Sequence, residues 1–182
     1  NPLRKLMFVP CFRVERLNAE IDNTFNFKEG DADINLNYTG PVLAKDTTRH
    51  SMYGHIRIRN TALTYIPRSL SFNKCNVNIE FIGNDLLLRN TTLSSARSNV
   101  RIDGIARNFM NVYFLDPGKV TFDWNIASSM IDLNEYRTFL SPRTKRTPAS
   151  GKKQNHKIAK IANRLELLLD KSNMYLHVNV NK

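Results

Sequence analysis

The sequence predicts a mainly β fold, an antiparallel meander accompanied by one short and one longer amphipathic helix. Three observations carry that prediction. Strict alternation of apolar and polar residues runs through Gly54–Thr61 (Gly-His-Ile-Arg-Ile-Arg-Asn-Thr), Asn76–Phe81 (Asn-Val-Asn-Ile-Glu-Phe) and Asn99–Gly104 (Asn-Val-Arg-Ile-Asp-Gly), the period of two that gives a strand one buried face. The connections between these runs leave no room for crossover helices, so the pairing is expected to be antiparallel. Between Asn155 and Leu169 the period changes, and Ile158, Ile161, Ala162, Leu165, Leu168 and Leu169 recur at three and four, the stripe of an amphipathic helix.

Taken in order, residues 2–27 mix helical and strand spacings. Strands are favoured for most of that stretch, with Val14–Glu20 compatible with a helical turn. Asp31–Tyr38 is a strand, with Ala32, Ile34, Leu36 and Tyr38 on one parity, and Gly40-Pro41 ends it. A polar loop over Lys45–Ser51 leads into the first central run. Apolar parity then shifts from even at Ile56 and Ile58 to odd at Leu63 and Tyr65, which requires a bulge or turn near Asn60-Thr61. Turn residues bracket Leu86-Leu87-Leu88, read as a further short strand. The sheet is expected to continue through Phe109–Phe114, turn at Asp116-Pro117-Gly118 and resume with Val120, Phe122, Trp124 and Ile126 on one face. Asp132 and Glu135 have the spacing of a capping box for the short helix, whose stripe is Leu133, Tyr136, Phe139 and Leu140 and whose stop is Pro142. Met174, Leu176, Val178 and Val180 form a closing strand. The organisation is therefore a sheet segment over 1–140 ending in the short helix, a basic flexible loop over 141–154, and a helix with the start of a further β section over 155–182.

Charge is distributed unevenly. Residues 1–140 carry 17 Lys or Arg against 14 Asp or Glu, while residues 141–182 carry 10 against 2, so the excess belongs to the loop and helix. Three readings of Arg143–Lys171 stand: a helix covering an edge or end of the sheet, a contact with anionic lipid headgroups, and nucleic acid. The last is the least supported, because the sheet lacks the basic-aromatic pattern of single-strand binders. No stretch approaches the ~20 apolar residues of a membrane span, and a start at Asn1 rather than Met is read as a fragment or trimmed protein. Cys11 and Cys75 lack metal-type spacing and are expected to be free and packed. Phosphate loops, nucleophile elbows and zinc motifs are absent. His50, His55, His156 and His177 are dispersed and read as solvated surface residues; Asp31, Asp33 and Asp103 fall on polar strand faces or turns. No catalytic residue, metal or cofactor is expected.

The central runs, extended through Asn76–Leu86 and Ser98–Phe109, resemble the repeating strands of the AsmA-like proteins. Ser128-Ser129-Met130-Ile131-Asp132-Leu133 is similar to that family's strand-to-helix junction, and a helix before Asn173–Val178 is similar to the start of its next sheet section. The resemblance spans Gly54 to Lys182. It implies a long, curved sheet in the periplasm, part of a larger protein held in the inner membrane by a helix outside these residues. Such a sheet presents an apolar groove to the acyl chains of phospholipid or another envelope lipid during outer-membrane biogenesis. The groove positions implied are Ile56, Ile58, Val77, Ile79, Val100, Ile102, Phe122 and Trp124, with Lys157, Lys160 and Arg164 as candidates for anionic headgroups. Two rival readings remain: a closed β-sandwich that binds protein or glycan through loops such as Lys45–Ser51, and an enzyme in which two carboxylates, or a carboxylate and a histidine, converge in one cleft.

Overall fold

The alternating runs pair into one sheet. The computed structural model describes residues 3–19, 24–40, 50–111, 117–137 and 171–180. Among them are nine strands: β1 (Leu3–Arg13), β2 (Phe25–Lys28), β3 (Asp31–Gly40), β4 (Ser51–Tyr65), β5 (Leu70–Gly83), β6 (Asp85–Ser94), β7 (Asn99–Arg107), β8 (Thr121–Met130) and β9 (Asn173–Val180). Their order across the open sheet is β1-β3-β4-β5-β6-β7-β8-β9, with β2 also paired to β4. The described strands make one sheet, not the two of a sandwich. Pairing is antiparallel from β1 to β8, as the short connections require.

The last pair departs from the expected meander, because β9 runs parallel to β8. A parallel partner needs a return path of a dozen residues or more, and the connection from Met130 to Asn173 supplies it. The two amphipathic helices are not borne out. Residues 155–169 and 138–140 lie outside the described residues, and Asp132–Arg137 forms successive turns in which Glu135, Tyr136 and Arg137 amides donate to the carbonyls three residues back. The capping box is not made. The Asp132 amide donates instead to Ser98 Oγ at 2.9 Å, while the Glu135 carboxylate accepts from both Ser95 Oγ and Ser98 Oγ and from the Arg97 amide. The Ser95 and Ser98 hydroxyls, first among several donors, hold the Glu135 carboxyl below its ordinary value.

β7 stops at Arg107 instead of continuing through Phe109–Phe114, of which 112–114 lie outside the described residues. Asn108 takes φ 57 and its amide donates to Asp85 Oδ1 at 2.8 Å. Met110 then donates to the Asn84 carbonyl, and the chain folds over the β5–β6 turn with Phe109 6.3 Å from the Phe81 ring. At the other end of the sheet, the helical turn at Val14 is a 3-10 helix over Val14–Ala19 that buries Val14 against Phe27, Ala32 and Ile58.

The bulge required by the parity shift occurs between Ile58 and Thr61, with Asn60 at φ 51. A second, unforeseen one lies between Leu88 and Thr91, with Asn90 at φ 48. Asparagine tolerates this left-handed backbone better than most residues. In both cases the freed amide finds a side-chain oxygen on the adjacent strand: Asn60 donates to Asn76 Oδ1 and Asn90 to Asp103 Oδ1. The same device recurs at Asn108 and at Glu29, whose amide donates to Glu15 Oε1. Each bulge restores the apolar parity and turns a threonine inward, leaving Thr61 0% and Thr91 3% exposed.

Candidate functional site

Register decides which side chains share a face, because directly opposed residues project to the same side. Ile56 faces Ile79 and Ile58 faces Val77 across β4–β5. Ile79 continues to Leu88, Leu88 to Gly104, and Gly104 to Trp124. One row therefore crosses the sheet from Ile34 through Ile56, Ile79, Leu88 and Gly104 to Trp124 and on to Leu176. A neighbouring row links Leu36, Gly54, Phe81, Leu86, Ala106, Phe122 and Met174. Val100 and Ile102 extend the same face below the second bulge, opposite Leu93 and Thr91. All eight groove positions thus lie on one side. Ile58, Val100 and Phe122 are buried; Ile56, Val77, Ile79, Ile102 and Trp124 are half-buried.

Phe81, Leu86, Ala106, Val120 and Phe122 form the core of this face. The rings of Phe122 and Trp124 meet edge to face at 5.0 Å. Trp124 Nε1 is shielded from solvent and has no acceptor among the described residues, so the wall carries one unsatisfied donor. Room for the indole comes from Gly104, the residue opposite it. Neither that glycine nor Phe81, Leu86 and Ala106 is among the positions singled out from sequence, although each has the parity of its strand's apolar residues. Lys157, Lys160, Arg164 and most of the Lys45–Ser51 loop (residues 45–49) lie outside the described residues.

The opposite face is polar and internally paired. Asp33 receives Arg59 Nη2 at 2.7 Å and lies 3.0 Å from His55 Nε2. Glu80 pairs with Arg89, Asp103 with Arg101, and Asp123 with His177 at 3.4 Å. Strand pairing supplies His55 and His177 with carboxylates that sequence spacing conceals, and His50 meets the Tyr38 hydroxyl at 3.0 Å; His177 is exposed as expected, and His156 lies outside the described residues. A shallow depression of about 310 Å³ beside His55 is lined by Tyr53, Arg57, Asn78, Glu80, Ile82 and Arg89. Its lining offers no serine, threonine or cysteine to act as a nucleophile. No group of three metal-ligating side chains occurs among the described residues. Cys75 is buried as expected, whereas Cys11 is exposed, and both are free. Cys11 sits at the β1 bulge between Val9 and Phe12.

No family model, curated protein or solved structure matches the chain.

Proposed function

We propose that this chain is a non-enzymatic segment of an AsmA-like envelope protein and that its apolar face receives lipid acyl chains. The supporting observation is the register: rows of aliphatic and aromatic side chains cross from β3 to β9 without a polar interruption, and five of the eight groove positions are only half-buried. Transfer of acyl chains from water to such a wall is favourable by ~0.8 kcal/mol per methylene, so selectivity follows chain length more than headgroup. In this reading the bulges curve the sheet around its ligand, and Lys157, Lys160 and Arg164 hold anionic headgroups. The protein sits in the periplasm, with its inner-membrane anchor outside these residues; no helix among the described residues is long and apolar enough to cross a membrane.

Native mass spectrometry and fluorescent-lipid binding test this directly. The wild-type protein is expected to take up phospholipid, with affinity rising as acyl chains lengthen. Ile79→Glu, which places a charge at the centre of the wall, should abolish uptake while the far-UV circular dichroism spectrum remains that of a sheet. Absence of lipid from the wild-type protein in both assays would end the proposal.

A further inference from the structure

The two faces of β8 are unequal. On the apolar side Phe122 is 3% exposed, Val120 just before the strand is wholly buried, and the Trp124 indole nitrogen is shut off from solvent. On the other side Asn125 and Ala127 are exposed. Chain direction supplies a second constraint. β9 lies beside β8 and parallel to it, so the intervening chain has to return across one face of the sheet, and such crossovers are right-handed in about 98% of cases. The hydrogen bonds fix which face that is. The Asn173 amide donates to the Val120 carbonyl, and Thr121 is the residue opposite Asn173, so the even-numbered residues of β8 direct their amides and carbonyls toward β9. These are also the residues whose side chains form the wall, Phe122, Trp124 and Ile126. In a strand of L-residues running upward, a side chain pointing at the observer has its own amide and carbonyl on the right. Viewed from the apolar side with β8 upward, β9 is therefore on the right, and a right-handed path to it passes in front of the sheet, over the apolar side.

We propose that the chain connecting β8 to β9 crosses the apolar side of the sheet and that residues 155–169 lie along the wall over β8. The lengths agree. Thr121–Ser128 pairs with Asn173–Val180, a run of ~26 Å at ~3.3 Å per residue, and residues 155–169 at the helical spacing of Ile158, Ile161, Ala162, Leu165, Leu168 and Leu169 extend ~22 Å. Lys171, the described residue that leads into β9, is helical, so the return ends in the conformation the stripe requires. Counted back from Lys171 at ~1.5 Å per residue, Leu165 stands ~9 Å along, level with Trp124, and Ile161 ~15 Å along, level with Ile126. Apolar stripe thus meets apolar wall, whereas across the sheet the same stripe would lie on Asp123, Asn125 and His177. A helix ~10 Å wide spans about two strands. Ile56, Ile58, Val77 and Ile79 on β4 and β5 stay open, and nothing in the placement depends on what they bind.

Trp124 is the single tryptophan of the chain, so its fluorescence reports what lies on it. In the full chain, without lipid, Leu165→Glu should move the emission to the red and admit acrylamide, while the far-UV circular dichroism spectrum stays that of a sheet. Leu165→Ala, with a smaller shift in the same direction, serves if the glutamate variant does not fold. A pair of thiols tests the side directly. In a Cys11→Ser background a short bismaleimide should join Ile161→Cys to Ile126→Cys, read by mass spectrometry of tryptic peptides. It should not join Ile161→Cys to Asn125→Cys, one residue away on the other face. A link to Asn125→Cys, or no link to either position together with unchanged emission, would overturn the assignment.

Discussion

At Gly104 an added Cβ would lie 2.6 Å from Trp124 Cδ1 and 2.8 Å from its Cα, and would strike the Asp123 carbonyl oxygen. Backbone on one side and a packed indole on the other leave no direction in which to yield. Gly104→Ala should therefore destabilise the protein by ~1–3 kcal/mol, measured by urea denaturation, and should shift the Trp124 fluorescence maximum. The cysteines give a second residue-level expectation. Burial pushes the Cys75 thiol up to about 12, whereas Cys11 is exposed. In mildly alkaline buffer a thiol reagent should modify one cysteine quickly and the other only on unfolding; two fast reactions would contradict the packing of Cys75. At the second bulge, the Asn90 amide, followed by Arg101, holds the Asp103 carboxyl below its ordinary value. A carboxyl depressed in the folded state stabilises it above the unfolded pKa, and that contribution is lost as pH falls through the folded pKa. Asp103→Asn should accordingly flatten the acid side of the pH–stability profile.

Among the elements, the turn after β8 is fastened to the β6–β7 connection by the Glu135 carboxylate, with an Asp132–Arg97 ion pair beside it. Glu135 reaches Ser95, Ser98 and the Arg97 amide, and Ser98 in turn holds the Asp132 amide. Glu135→Ala should lower Tm by a few degrees at neutral pH, and the deficit should shrink as acid protonates the wild-type group, whose pKa is depressed from 4.5. An unchanged melting temperature would show the fastening to be ornamental. This cluster also explains a misreading. Asp132 and Glu135 have capping-box spacing, but the Asp132 amide goes to Ser98 and the Glu135 carboxylate to Ser95, Arg97 and Ser98, far back in the chain, which local spacing cannot reveal. β9 is similar: alternation marks a strand yet carries no direction, so its parallel pairing had no signal in Met174–Val180. Leu86–Leu88 looked like a short strand because Thr91, a polar residue on the buried parity, hid the continuation to Ser94. At Asn60, by contrast, Leu63 and Tyr65 resumed the pattern visibly, and the bulge was legible.

Over the whole molecule, the face assignment was the most legible feature, since parity alone places Ile56, Ile58, Val77, Ile79, Val100, Ile102, Phe122 and Trp124 on one side and the register agrees. What parity could not supply was width. The rows also take in Phe81, Leu86, Ala106 and Met174, and only the strand order sets these beside the predicted positions. The polar face was legible as solvated but not as paired, because partners such as Asp33 and His55 come from different strands. If the apolar face receives acyl chains, bound lipid should raise the melting temperature with lipid concentration as linkage requires, and Ile79→Glu should remove that dependence.

Strict alternation has a weakness: a strand that slips along its neighbour by two residues keeps every apolar side chain on the correct face. Burial alone would leave such slipped pairings close in energy to the native one. The amides of Asn90 and Asn108 remove that ambiguity, because each is latched to one particular carboxylate, Asp103 or Asp85, that does not recur two positions along. A repetitive sheet thus acquires unique alignment marks from a few irregular residues, and refolding errors should concentrate where those latches are removed.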